Sequence, residues 1–360
     1  MNKESISDRQ GIILVTMFII GTSIIISTGI GAKKDLWLAN ILAVLMALPM
    51  ILIYARLHYI FPEKDMFQII EVCFGSFIGK GIELLYIWFA FHIGALILIN
   101  LGWFINTISL PETPKTISMI FILMLGIWGA KEGIEVLGRW AASMIFVIMS
   151  FLLITRLLLI PEMNILNIRP VLAEGLKPVM KGAFETFTFP LTETVIFTMV
   201  FSRFREKRSP YKIYMFGFLI GGITILLVSV TNILVIGVDN ALSMYFPSYR
   251  VVSRLNIGDI ISRIEIVPSA VFLMGSFIKL SICMLAVSKG ISSVWNLADY
   301  RFIITPAALL MLNLSLSIYD SLMEMIEFIG VSPYYKLPFE VILPIVILLF
   351  AEKKKNRVTA

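Results

Sequence analysis

Three titratable side chains interrupt long apolar runs: Glu193 in Phe189-Pro190-Leu191-Thr192-Glu193, Lys279 in Ser276-Phe277-Ile278-Lys279, and His92 in Trp88-Phe89-Ala90-Phe91-His92. A charge in apolar surroundings is costly and usually functional where it survives. Glu193 can cap free amides, bind an ammonium group or carry a proton. Lys279 offers a fixed ammonium in place of a bound cation, or a stem that snorkels towards headgroups. His92 can relay protons or simply pack. Glu185 reads as nearer the outer interface, and His58 as a polar loop residue. No Ser-His-Asp ordering, phosphate-cradling glycine loop or metal-ligand spacing accompanies them, which argues against an enzyme and predicts no cofactor and no metal. Cys73 and Cys283 lack C-x-x-C spacing and read as buried core.

The elements that position these residues follow from composition. Hydrophobic residues make up 58% and charged ones 15%, and the mean hydropathy is +0.91. Soluble domains carry roughly 25% charged residues. The charge collects in short gaps between apolar runs, which must be helical because lipid cannot satisfy backbone polar groups. The expected fold class is therefore an all-α polytopic membrane protein with about ten transmembrane helices. They fall near 11–31, 37–57, 81–108, 116–136, 140–160, 180–202, 212–238, 267–288, 302–319 and 336–351. The N-terminal MNKESISDRQ leads into a retained helix, not a signal peptide. The net charge of +6 points to anionic lipid headgroups of the bilayer and to no nucleic acid. Basic clusters at 203–208 and 353–355 predict that both termini are cytoplasmic.

Two spans are broken. Gly21-Thr22-Ser23 interrupts the first, with Ser27, Thr28, Gly29 and Gly31 beyond it, and Thr186-Phe187-Thr188-Phe189-Pro190-Leu191-Thr192-Glu193 interrupts the sixth. Proline removes an amide donor and clashes with the preceding turn. Irregular backbone at that depth persists only inside protein or along a cavity. Broken helices in corresponding positions predict a single domain over 1–360 built from two inverted five-helix repeats, about 11–160 and about 180–351. His58-Tyr59-Ile60-Phe61-Pro62 and Ser243-Met244-Tyr245-Phe246-Pro247 echo one another at equivalent places, each before an amphipathic stretch (66–80 and 250–266).

Opposed helix ends in one cavity suit a zwitterion such as an amino acid. Its carboxylate is expected on amides near Thr22, Ser23 and Ile24, and its ammonium on carbonyls near Phe187, Phe189 and Pro190. Gly21, Trp88, His92, Thr188, Glu193 and Ser276 complete the expected binding set, and Lys279 with Glu193 is expected as a coupling or structural charge. In the competing reading, Gly21 only lets helices approach and Pro190 only kinks its helix.

The motifs resemble the B-subunit permeases of bacterial spore germinant receptors, within the amino acid–polyamine–organocation transporter superfamily. The resemblance covers most of the chain: Ile6-Ser7-x-x-Gln10, Gly21-Thr22, Asp35-Leu36-Trp37, Phe189-Pro190-x-x-Glu193, Pro247-Ser248-Tyr249-Arg250, Asn256-Ile257-Gly258-Asp259 and Ser262-Arg263-Ile264-Glu265. Thr192 stands where such proteins commonly carry glycine, which is expected to narrow the pocket or to change ligand preference. The resemblance implies the ten-helix fold of two inverted repeats. It also implies location in the spore inner membrane, an A-type membrane subunit and a C-type lipoprotein as partners, and sensing of a nutrient, typically an amino acid. A proton-coupled amino acid permease is the alternative.

Overall fold

A computed structural model describes residues 5–255 and 266–359. The motifs at 256–259 and 262–265, and most of the amphipathic stretch at 250–266, lie outside the described residues.

The described residues are mostly helical, and local chemistry sets several of the starts. Ser7 caps α1 (Asp8–Ser23): its side chain accepts from the Gln10 amide while the Gln10 side chain reaches back to the Ser7 amide. That reciprocal cap satisfies two orphan donors and accounts for the Ile6-Ser7-x-x-Gln10 motif. Gly29, at φ +71°, turns the chain after α1, and a short 3-10 turn (Ile30–Asp35) leads into α2 (Leu36–Ile60). Asp65 and Gln68 form a second capping box at the start of α3 (Met66–Phe104). The amphipathic stretch at 66–80 runs into the third span through a break in helical geometry at Gly75. Two helices meeting at Gly75 (φ 76°, ψ 179°) thus make up α3.

Next come α4 (Lys115–Glu132), α5 (Ile134–Leu158), and the two short pieces of the sixth span, α6 (Leu176–Thr186) and α7 (Ile196–Val200). The second half holds α8 (Ser209–Ile236), α9 (Val238–Leu242), α10 (Pro247–Val252), α11 (Ile266–Trp295), α12 (Arg301–Ser317), α13 (Leu322–Leu337) and α14 (Leu343–Thr359). Among the described residues, six helices are long and apolar enough to cross a bilayer: 30–60, 66–108, 134–158, 209–236, 268–295 and 323–355. The first and sixth spans are broken into shorter pieces, and α12 is a shorter apolar helix.

The tenth span corrects the sequence reading. It starts at Leu322, capped by the Ser321 side chain, and not at 336. A wide π-turn at Pro338–Ile342 joins α13 to α14 and carries the helix past Pro338. Lys336 and Glu340 therefore lie within the span.

Apolar side chains such as Phe77, Phe121, Phe146, Leu153 and Phe302 are exposed on the outside, as expected of an integral membrane protein facing lipid. Inside, α1 packs against α8, and α2 packs against α6, the pairing that exchange of two repeats requires. Gly21 meets Gly275 backbone to backbone, a Cβ at Gly21 falling 3.0 Å from the Gly275 carbonyl oxygen. Such small-residue contacts let α1 and α11 approach closely. Ser5–Ile6 pairs in parallel with Arg203–Phe204, joining the start of α1 to the end of α7.

Candidate functional site

The first break lies one turn later than Gly21-Thr22-Ser23. Thr22 and Ser23 are still helical, the Ile24 amide donates to the Ile20 carbonyl, and the Ser23 hydroxyl bonds the Ile19 carbonyl. The amides expected to hold a carboxylate are therefore occupied within α1. Side chains of neighbouring helices satisfy the polar backbone that follows. Ser248 donates its hydroxyl to the Ile24 carbonyl (2.8 Å) and its amide to the Ile25 carbonyl (3.2 Å). Asn232 bridges Ser248 (2.8 Å) and Ser27 (3.1 Å). The Thr28 amide donates to the Ser229 hydroxyl, and Asn40 accepts from the Thr28 hydroxyl (2.8 Å) while donating to its carbonyl (3.0 Å). Buried irregular backbone needs such partners, which gives Ser248 of the Pro247-Ser248-Tyr249-Arg250 motif a physical task.

The second break lies where the sequence placed it. Phe189 leaves helical geometry (φ −136°, ψ 117°) and precedes Pro190 through a cis bond. The Thr192 amide and hydroxyl both donate to the Phe187 carbonyl, so that carbonyl too is occupied. Thr192 does not narrow the cavity. It is not among the residues lining the cavity, and its hydroxyl also lies 2.6 Å from Glu340 Oε2.

Between the breaks is a cavity of about 140 Å³. Thr22, Ser27, Thr28, Thr188 and Asn100 give its wall polar points, and Ile93, Ile97, Met325, Phe328 and Ile329 make it mostly apolar. Glu193 lies on its floor between two ammonium groups. Lys279 Nζ is 2.6 Å from one carboxylate oxygen and Lys336 Nζ is 2.5 Å from the other. All three side chains are at most 4% exposed. Lys279 also donates to the Thr22 hydroxyl at 3.2 Å and lies 4.8 Å from the centre of the Phe18 ring. Both ammonium groups sit over the Phe189 ring, at 4.9 and 4.8 Å. An aromatic face attracts a desolvated cation by about 2 kcal/mol. Lys279 therefore ties α1, the sixth-span break and α11 together, and does not snorkel.

Thr22, Thr188, Phe189 and Glu193 of the expected binding set reach the cavity wall, and so does Lys279, expected as a coupling or structural charge. Gly21 packs on Gly275, and Ile24 belongs to the buried core. Phe187 and Pro190 are buried in the turn behind the wall. Ser276 is fully buried in α11 away from the cavity. Trp88 is 46% exposed on the outer face, where it stacks on His92. His92 is buried beside Phe328 and Tyr335 and behind the cavity wall. Glu185 borders the cavity and accepts from the Gly31 amide at 3.1 Å. His58 is a buried residue of α2, against Phe204 and Tyr214, and not a loop residue. Sequence reading missed Lys336 and Glu340. Their signal was a lysine and an acid four apart, on one helix face, within an apolar stretch.

Residues 5–350 match the model of a family described as spore germination protein. The chain is 28% identical over 363 aligned positions to spore germination protein KB of Bacillus subtilis (strain 168), spanning 99% of this chain and 97% of that one. It is 24% identical to putative spore germination protein YfkT of the same organism, spanning 90% and 88%. Among solved structures it resembles Mhp1, a nucleobase-cation-symport-1 family transporter in a closed conformation with bromovinylhydantoin bound. The TM-score is 0.70 at 10% identity, over 96% of this chain and 78% of that one. That likeness concerns the fold.

Proposed function

The chain belongs to the spore germination protein family, and on that premise we propose that it is the nutrient-sensing B subunit of a spore germinant receptor. It would bind a small molecule, an amino acid in our reading, between the breaks of the first and sixth spans. The supporting observation is a cavity bordered by both breaks and floored by the buried Lys279–Glu193–Lys336 cluster. A ligand there touches α1, the sixth span, α11 and α13 together. It shifts a conformational equilibrium only by its differential affinity for the two states, and contacts on four elements supply that difference. We place the protein in the spore inner membrane with both termini cytoplasmic, signalling through an A-type membrane subunit and a C-type lipoprotein. The two five-helix repeats, about 11–160 and about 180–351, act as one domain around the cavity.

A proton-coupled amino acid permease is the second reading, favoured by the fold shared with a transporter. Binding and uptake of amino acids, measured side by side in sealed proteoliposomes under a proton gradient, separate the two. Saturable binding without accumulation is expected. Gradient-driven accumulation overturns the receptor reading in favour of the permease.

A further inference from the structure

We propose that Lys336 is the docking group for a ligand carboxylate, so that the cavity selects small molecules carrying a free carboxylate with an apolar substituent. The inference deepens the proposed ligand-binding role and rests on it. An ammonium group has three N–H donors. Lys279 spends one on Glu193 and one on Thr22, with the rings of Phe18 and Phe189 against its remaining surface. Lys336 makes one bond, to Glu193, among the described residues. It borders the cavity with its side chain 4% exposed. Like Lys279 it lies over the Phe189 ring, at 4.8 Å, but among the described residues it has no second hydrogen bond and no second ring against it. At least one donor of a desolvated ammonium thus remains for whatever occupies the cavity.

The charge count points the same way. Two ammonium groups share one carboxylate, so the cluster carries an excess positive charge. Glu340 does not cancel it. Its Oε2 lies 2.6 Å from the Thr192 hydroxyl, which is itself 2.8 Å from the Phe187 carbonyl. Glu340 Oε2 thus accepts from the Thr192 hydroxyl and faces that group, not the lysines. Glu340 makes no ion pair with either lysine among the described residues, both of which pair with Glu193. Glu185, the other acid on the cavity wall, is bonded to the Gly31 amide and likewise pairs with neither lysine. A buried unpaired charge costs several kcal/mol, and a bound carboxylate removes that cost. Ile93, Ile97, Met325, Phe328 and Ile329 beside Lys336 suit an apolar substituent.

The test uses the full-length protein in lipid nanodiscs and isothermal titration with L-alanine, L-valine and L-leucine, each beside its amide and its decarboxylated amine. At least one amino acid is expected to bind. Its amide and amine should bind roughly 10- to 100-fold more weakly, the loss expected for hydrogen bonds to a charged group. Lys336→Met should bring the amino acid down to the level of its amide, whereas Glu340→Gln should keep affinity within about twofold. Equal affinity for amino acid and amide in the wild-type protein overturns the role of Lys336 but leaves the ligand site standing. That comparison needs no variant to fold. Unchanged amino-acid affinity in a folded Lys336→Met protein overturns it as well. Binding of none of the probes removes the amino-acid reading, and this inference with it.

Discussion

Replacing Glu193 by glutamine keeps the shape of the side chain and removes the one anion between Lys279 and Lys336, 2.6 and 2.5 Å away. Removing one partner of a buried ion pair costs about 3–5 kcal/mol, because the other charge is left without compensation. Here two ammonium groups lose the same partner, so the upper end, about 5 kcal/mol, applies. Unfolding entropy is about 2.1 cal/mol/K per residue, which gives about 0.75 kcal/mol/K for 360 residues. The melting temperature should then fall by about 6–7 °C. Cys73 and Cys283 are free and buried, so a thiol-reactive fluorogenic dye reads unfolding without any added label. The double variant Glu193→Gln/Lys279→Met removes one of the two stranded charges and should regain about half of the loss. A Glu193→Gln protein that melts within about 1 °C of wild type would refute the argument that Glu193 holds two otherwise uncompensated charges.

Gly21→Val should cost about 1–3 kcal/mol by pushing α1 off α11, read in the same dye assay, with loss of amino-acid binding because Thr22 and Lys279 separate. Tyr54→Phe removes a hydroxyl that donates to the Glu340 carbonyl at 2.6 Å. It should lower stability by about 1–3 kcal/mol by leaving a buried carbonyl at the π-turn unsatisfied. Ser248→Ala strands the Ile24 carbonyl and should cost about 1–3 kcal/mol, with weaker ligand binding by titration. Burial holds the Asp65 carboxyl above the usual carboxylate range. A raised folded-state value means stability present at low pH and lost as pH rises through that value. Asp65→Asn should flatten this slope while keeping the cap on α3, whereas Asp65→Ala should lose about 1 kcal/mol of capping. Thermal melts from pH 4 to pH 8, roughly the carboxylate-to-neutral range, distinguish the two.

The membrane fold was legible because the absence of water at the bilayer centre forces long apolar helices, and hydropathy records that constraint directly. The break at Phe189-Pro190 was legible for a covalent reason, since proline has no amide to donate. The first break was misplaced by a turn. Gly21 looks like a helix breaker in sequence, yet in three dimensions it is a contact surface for Gly275, and the turn that ends the irregular stretch is made by Gly29 at φ +71°. Hydroxyl side chains misled in the same way, because Ser23 bonds back to Ile19 within its own helix and does not open it. Lys279 and Glu193 could be singled out as charges in apolar runs, but their pairing joins positions 86 apart and has no local signature. Lys336 was lost because the tenth span was started at it, which put a buried ammonium at the edge of the helix. His92 and Trp88 share a helix with the cavity wall, and their side chains leave it on a different face.

The small parallel pairing of Ser5–Ile6 with Arg203–Phe204 sets how the inner parts of the molecule can move. Two helices interrupted at mid-depth are two levers, each free in principle to swing about its own hinge. Fastening their free ends together turns two levers into one linkage, with a single degree of freedom where there had been two. Ile6 is 1% exposed and seals the joint. A push on either hinge then reaches the paired ends as the same displacement, so a ligand touching only one break still moves both.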